Sequence, residues 1–253
     1  MAVQISSASN DRMKHLVRLR DRRHRDADGL FVVEGDRLFS RAIAAGLEPQ
    51  EIFVAPDHPM ADDSRVVVVD PGVLDKVSYR RTSEGLVAIF RQFESSLADL
   101  ERSDRTLLLA GESIEKPGNL GAMARTANAI GSDALLSIGS VIDVFNPNVL
   151  RASTGAIFET PVVTCSIKDL GEWLVHNEVR LVATSPDSRR TIWDADLSGP
   201  VAIAVGAEDA GHSDALLRLA DEVVRIPMTG SVDSLNASTS LAVMAYEALR
   251  QRS

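Results

Sequence analysis

Apolar and polar positions along the chain switch between a helical and a strand period. Met13, Leu16 and Val17 fall at helical spacing and predict a helix over 9–25 with Ser9 as its cap. Short apolar runs predict strands at 30–34, 51–55, 65–69 and 86–90, with helices over 36–45, ended by Gly46, and near 72–77. Residues 93–105 are polar and carry no strand signal. Beyond them, buried-type strands are expected at 106–110, 134–137, 161–164, 180–184, 201–205 and 223–226. Helical patterns lie between these strands, and a last helix covers 235–250. Short, wholly apolar strands alternating with helices predict a mostly parallel sheet covered on both faces. The expected fold class is α/β, with a small domain over 1–95, a linker over 96–105 and a larger domain over 106–253.

Composition narrows the class. Hydrophobic residues make 45% of the 253 and charged residues 25%, which excludes disordered and fibrous chains. No apolar run approaches the roughly 18 residues of a membrane span. The first 25 residues are polar and charged, unlike a secretory signal. The single cysteine, Cys165, can form neither an intramolecular disulfide nor a cysteine-rich metal site. A cytoplasmic protein without a metal is therefore expected.

The net charge of −9 argues against a protein held to nucleic acid by bulk charge. The charge is uneven, however. Residues 1–95 hold 14 Lys/Arg against 15 Asp/Glu, and the remainder 13 against 21. Arg12, Lys14, Arg18, Arg20, Arg22, Arg23 and Arg25 crowd together, and Lys14, Arg18, Arg22 and Arg25 repeat every three or four residues on one helical face. An RNA partner would be held there, with Arg18, Arg22 and Arg25 as its contacts.

In open parallel sheets, ligands bind beyond the carboxyl ends of strands. Three loops in the second half, rich in Gly, Asn, Ser and Pro, stand at such places: 115–121, 206–211 and 226–236. The first leads into a helix with an apolar stripe of Leu120, Met123, Ala127 and Ile130, and at about 100° per residue Arg125 falls opposite that stripe. Read singly, each polar residue has an ordinary explanation. Arg125 is a solvated arginine, Asn119 an N-cap, Glu208 a carboxylate in a turn, and Ser234 and Asn236 helix caps.

Their order carries more than any one of them. Pro117-Gly-Asn-Leu-Gly-Ala-Met-Ala-Arg125-Thr-Ala, Val205-Gly-Ala-Glu208-Asp-Ala-Gly-His-Ser and Ile226-Pro-Met-Thr-Gly-Ser-Val-Asp-Ser234-Leu-Asn236-Ala-Ser follow one another. Together they resemble the three motifs of the SpoU/TrmH family of the SPOUT superfamily, RNA ribose 2′-O-methyltransferases with a deep trefoil knot. The resemblance covers about residues 105–250. It implies that Asn119, Arg125, Glu208, Ser234 and Asn236 occupy catalytic positions. It implies S-adenosylmethionine as cofactor, held by Thr184, Gly206, Ile226, Met228 and Leu235, and a homodimer formed through the knotted domain. The first domain, with its Val33-Glu-Gly35 strand exit, resembles the family's substrate-binding domain, which favours ribosomal RNA as substrate with transfer RNA second. Two departures stand out. Asp209 replaces a common glycine and is expected to take a left-handed conformation in its place, and Glu115-Lys116 replaces the acidic residue usual before Pro117.

Three other readings compete. A nicotinamide dehydrogenase needs Gly-x-Gly-x-x-Gly after a strand, and Gly118-Asn-Leu-Gly121 lacks the first pair. A serine hydrolase needs a Gly-x-Ser-x-Gly elbow, and the sequence has none. A non-catalytic RNA-binding member of the same fold is opposed by the intact polar residues of the three motifs.

Overall fold

Two sheets organise the chain, whose residues 3–80, 82–139 and 142–253 are described by a computed structural model. The first sheet holds β1 (Val3–Ile5), β2 (Leu30–Glu34), β3 (Pro49–Val54), β4 (Val66–Val69) and β5 (Leu86–Arg91) in the order β1-β4-β3-β5-β2. Strands β1 and β3 run parallel to β4, whereas β2 and β3 run antiparallel to β5. Helices α1 (Asp11–Arg18), α2 (Arg22–Asp28), α3 (Asp36–Ala44) and α4 (Pro71–Val77) complete this part. Its core joins Met13, Leu16 and Leu19 to Phe53, Val67, Leu74 and Ile89.

The helix expected over 9–25 is two helices. Asn10, rather than Ser9, caps α1 by accepting from the Arg12 N–H. The chain then bends as Leu19 turns into the core. The Arg25 guanidinium, only 2% exposed, donates to the carbonyls of Leu19 at 2.7 Å and Arg20 at 2.6 Å. A helix end leaves such carbonyls without partners, so Arg25 completes the break between α1 and α2. This corrects its expected role, because a side chain buried on backbone carbonyls does not face RNA. Val17, expected inward, is 40% exposed. Arg18 and Arg22 remain at the surface, with Arg22 paired to Asp26.

The second sheet is wholly parallel. It contains β6 (Leu107–Glu112), β7 (Ala134–Ile138), β8 (Val162–Cys165), β9 (Arg180–Thr184), β10 (Val201–Val205) and β11 (Glu222–Val224), ordered β11-β9-β10-β6-β7-β8. Its helices are α5 (Pro117–Ile130), α7 (Ile167–Asn177), α8 (Asp214–Leu219) and α9 (Ala237–Gln251), while α6 (Pro147–Ser153) lies between β7 and β8 in sequence. Every residue of β7 and β10 is buried, as a strand covered on both faces requires. On one face Leu108, Leu136, Leu181 and Ala202 meet Leu170 and Leu174 of α7 and Leu216 of α8. The alternate residues point the other way, where α5 and α9 pack side by side and α9 lies on β6 and β10.

The chain forms two compact units, one running to Phe93 and taking in Phe145–Phe158, the other made of Glu94–Val144 and Glu159–Ser253. Aromatic packing explains why a segment expected in the second domain belongs with the first. Phe31 of β2 lies 4.6 Å from Phe145 and 6.1 Å from Phe158 between ring centroids, and Phe145 meets Phe93 edge-on at 5.1 Å. Residues 93–105 are more ordered than a linker: Leu97 and Leu100 pack against the second core, and Ser96 and Asp99 form a capping box. Among the described residues, no helix is long and apolar enough to cross a membrane.

Candidate active site

Strand order places the site. From β6 the chain proceeds towards β7 on one side, and from β10 it proceeds towards β11 on the other, although β6 and β10 are hydrogen-bonded neighbours. The loops leaving them therefore diverge and open a crevice at their carboxyl ends, the switch point where α/β sheets hold ligands.

Loop one leaves β6 through Ser113, whose φ of 52° turns the chain sharply, and runs to Lys116 at the N-cap of α5. Pro117 occupies the first helical position, where its fixed φ suits a helix and its missing N–H costs nothing. Asn119 is therefore a first-turn helical residue rather than the N-cap expected from sequence. Its side chain is free to leave the helix, and its amide donates to Glu208 Oε1 at 3.0 Å.

Loop two folds back on itself. Ala207 and Gly211 exchange backbone hydrogen bonds of 3.1 and 2.9 Å, presenting Glu208 at the tip. The approach is so close that a side chain at Gly206 would collide with the carbonyl of Gly211 and the amide of His212. Gly211, at φ 66°, supplies the left-handed turn. The left-handed conformation expected at Asp209 is therefore carried by Gly211, and the positive-φ residues of the described chain do not include Asp209.

Loop three delivers Asn236, which does two things at once. Its Oδ1 caps α9, accepting from the Ser238 N–H at 3.0 Å and the Thr239 N–H at 3.4 Å. Its amide nitrogen donates to Glu208 Oε1 and to Asn119 Oδ1, the latter at 3.1 Å. The capping and site readings of Asn236 are thus one arrangement. Glu208 Oε2 takes the Lys116 ammonium. The Lys116 ammonium and the Asn119 amide hold the Glu208 carboxyl below the ordinary carboxylate range, and Glu208 in turn raises Lys116. A cleft of about 80 Å³ lies among Ser113, Lys116, Asn119, Glu208 and Ala237.

Arg125 stands exposed on α5 and makes no ion pair or side-chain hydrogen bond among the described residues. Ser234 is exposed two residues before Asn236 and makes no hydrogen bond to the polar cluster among the described residues. Asn119, Glu208 and Asn236 are thus brought together, while Arg125 and Ser234 border them in sequence without joining the hydrogen bonds.

Sequence reasoning missed a buried support. Glu112 ends β6 with its side chain 3% exposed and meets His212 Nδ1 at 2.7 Å. It also accepts from the Ser213 N–H at 3.1 Å and the Ser213 hydroxyl at 2.5 Å. His212 Nε2 donates to the Ala204 carbonyl at 3.2 Å. The pair of Glu112 and His212 ties the exit of β6 to the close of loop two. The signal was present in Leu107-Leu-Leu-Ala-Gly-Glu112, an apolar strand ending in a carboxylate.

Residues 106–246 match the model of the SpoU rRNA Methylase family. The chain belongs to the SpoU rRNA methylase family. Residues 10–88 match the MRM3-like substrate binding domain. A solved RNA 2′-O ribose methyltransferase is 40% identical, with 99% of each chain covered and a TM-score of 0.87. The AdoMet-bound rRNA methyltransferase of Sinorhizobium meliloti is 29% identical, with 98% of each chain covered and a TM-score of 0.90. RlmP of Bacillus subtilis, a 23S rRNA guanosine 2′-O-methyltransferase, is 28% identical over 96% of this chain and 98% of its own.

In this SpoU-family chain four of the five positions considered for a cofactor lie at neighbouring strand exits, and Leu235 directly precedes the N-cap of α9. Thr184 ends β9, Gly206 follows β10, and Ile226 and Met228 follow β11, with β9 paired to both β10 and β11. Ile226, Met228 and Leu235 are half-buried. Apolar side chains left partly open at the ends of adjacent parallel strands fit a flat, weakly polar ring such as adenine. The Cys165 thiol is pushed up to about 11 by burial and offers no thiolate.

Proposed function

We propose that this chain methylates the 2′-hydroxyl of a ribose in RNA, ribosomal RNA before transfer RNA, using S-adenosylmethionine. The observation that carries the reading is the meeting of Asn119, Glu208 and Asn236, from three loops, at the β6/β10 crevice. Family membership and relatives named as 23S rRNA methyltransferases support the choice of substrate.

Thr184, Gly206, Ile226, Met228 and Leu235 would hold the cofactor, through backbone groups and the half-buried apolar side chains. When bound, it would supply an electrophilic methyl group, carried on a positively charged sulfur, for transfer to the ribose 2′-oxygen in exchange for the 2′-proton. The chain's own work is alignment and exclusion of water. Asn119 and Asn236 fix the Glu208 carboxylate, and through it the tips of loops one and two. A guanidinium stays protonated in proteins, so Arg125 acts as a donor rather than a base. It holds the phosphate beside the target ribose and stabilises the developing alkoxide, and the proton passes to phosphate or water. Ser234 positions the nucleotide or the cofactor loop. Arg18 and Arg22 give salt-sensitive, sequence-blind affinity for RNA.

The trefoil knot belongs to this proposal. It is supported by the path of the chain, which leaves β11 at the sheet edge and returns through 226–236 to lay α9 on β6 and β10 in the middle. So does a homodimer through the second unit, favoured by the exposed Tyr246 of α9 and testable by light scattering. A cytoplasmic location follows from the substrate.

Transfer of labelled methyl to ribosomal and transfer RNA tests the reading. Ribosomal RNA is expected to accept label and transfer RNA much less. Arg125→Lys, which keeps charge but loses the planar fork, is expected to lower turnover. Wild-type turnover in that variant would defeat the clamp, and transfer RNA as the better acceptor would reverse the choice of substrate.

A further inference from the structure

Lys116 is the side chain of the polar cluster that the five catalytic positions do not include. It occupies the N-cap position of α5 without capping it, and its ammonium rests on Glu208 Oε2. Its side chain is 69% exposed against 23% for Glu208. Ion pairs this open add little stability, so holding the fold together does not account for it. What Lys116 changes is the charge of the rim. Glu115 and Asp209 lie close enough to act on its ammonium, so Lys116 stands among three carboxylates, Glu208 included. An RNA strand brings a negative charge with every nucleotide. Without Lys116, the mouth of the crevice would confront that strand with uncompensated carboxylates.

The same geometry makes the lysine transferable. Asn119 and Asn236 both hold Oε1 of Glu208, so the carboxylate keeps its place when the ammonium leaves Oε2. The lysine stem is flexible and its head is a point charge suited to phosphate. Resting on the methyltransferase reading above, we propose that Lys116 exchanges partners. In the free protein it neutralises Glu208, and when RNA arrives its ammonium moves to a backbone phosphate beside the target ribose. Glu208 then stays with the two asparagines. Lys116 is thus an RNA-contacting residue outside the family's catalytic positions, and it makes loop one sensitive to whether a polyanion is present.

The full chain and its Lys116→Met, Lys116→Arg and Lys116→Met/Glu208→Gln variants test this, with a ribosomal RNA fragment titrated across salt concentrations. Lys116→Met is expected to weaken RNA binding at low salt and to make the slope of log affinity against log salt shallower by about 0.7–0.9. Its melting temperature and S-adenosylmethionine affinity should stay as in wild type. Lys116→Arg should keep the slope, and adding Glu208→Gln to Lys116→Met should restore part of the RNA affinity by removing the exposed carboxylate. An unchanged slope in Lys116→Met, in a wild type that methylates RNA, overturns the exchange and leaves the methyltransferase reading standing. A lowered melting temperature with an unchanged slope also overturns it, by making the pair structural. A Lys116-dependent slope in a wild type that transfers no methyl sustains the phosphate contact and overturns the methyltransferase reading instead.

Discussion

Glu34 in the first unit ends a strand and Glu208 in the second follows one, and their surroundings act on them in opposite directions. Glu34 closes β2 half-buried. Burial pushes its carboxyl above the ordinary range, and the Tyr79 N–H at 2.6 Å, with the charges of Arg151 and Arg20, offsets only part of that. Glu208 sits at the tip of a loop, where the Lys116 ammonium and the Asn119 amide hold it down. The first unit spends polar groups on closing its own fold, as Arg25 also does. The second unit keeps an ionised carboxylate at the mouth of a crevice, fixed by side chains from loops far apart in sequence. Similar residue types serve architecture in one unit and a site in the other, and surroundings rather than composition decide which.

Asn236 gives the largest effect with which to break that contrast. Asn236→Ala removes the α9 cap and the amide that reaches Glu208 and Asn119. It is expected to lower kcat about 100-fold or more, with about 1 kcal/mol of stability lost with the cap. Asn236→Asp keeps a capping oxygen without the amide donor, so stability should hold while transfer falls. Full activity in the Asp variant would make Asn236 a cap and nothing more, and the second unit's site would resemble the first unit's architecture.

Next in size is the division within the basic run. Arg25→Ala leaves two carbonyls at the α1 end without the donors that now serve them. It should cost about 2–4 kcal/mol in urea unfolding and leave the salt dependence of RNA binding alone. Arg18→Ala should do the reverse, with an unchanged melting temperature and a salt slope shallower by about 0.7–0.9. A salt effect from Arg25→Ala in a folded protein would return Arg25 to the RNA face.

The smallest effect follows from the carboxylates. Glu34 is raised in the folded state, so its stabilising share is complete below the unfolded carboxylate range and is lost as pH rises through the folded value. Glu208 is lowered, so its share is complete above that range and is lost as pH falls through the folded value. Unfolding free energy measured from about pH 3 to 8 should therefore lose part of its decline towards neutral pH in Glu34→Gln. In Glu208→Gln it should lose part of its decline towards acid, a small effect because the Lys116 ammonium that holds Glu208 is open to solvent. Parallel changes in both variants would erase the contrast between the units.

Much of this was legible in the sequence. The six strands of the parallel sheet and the three polar loops at their exits stood out because buried strands are short, apolar and bounded by Gly, Asn and Pro. What escaped were features set by contacts distant in sequence. The break at Leu19 depends on a core that Leu19 enters and on a guanidinium folding back from α2, while helical periodicity alone runs straight through. The docking of 145–158 on the first unit depends on Phe31, more than a hundred positions away. Taken singly, Asn119 suits an N-cap as well as a site residue, and only the position of Glu208 decides between the two. Glu112 and His212, unremarkable singly, pair because β6 and loop two adjoin.

The most direct measurement is the identity of the methylated product. The purified chain is incubated with S-adenosylmethionine carrying a labelled methyl group and 23S rRNA, and the RNA is digested to nucleosides and resolved by mass spectrometry. A 2′-O-methylated nucleoside formed by the wild type and nearly absent with Asn236→Asp is the expected result. Label on a base, or no label on any nucleoside while the cofactor binds, would contradict it.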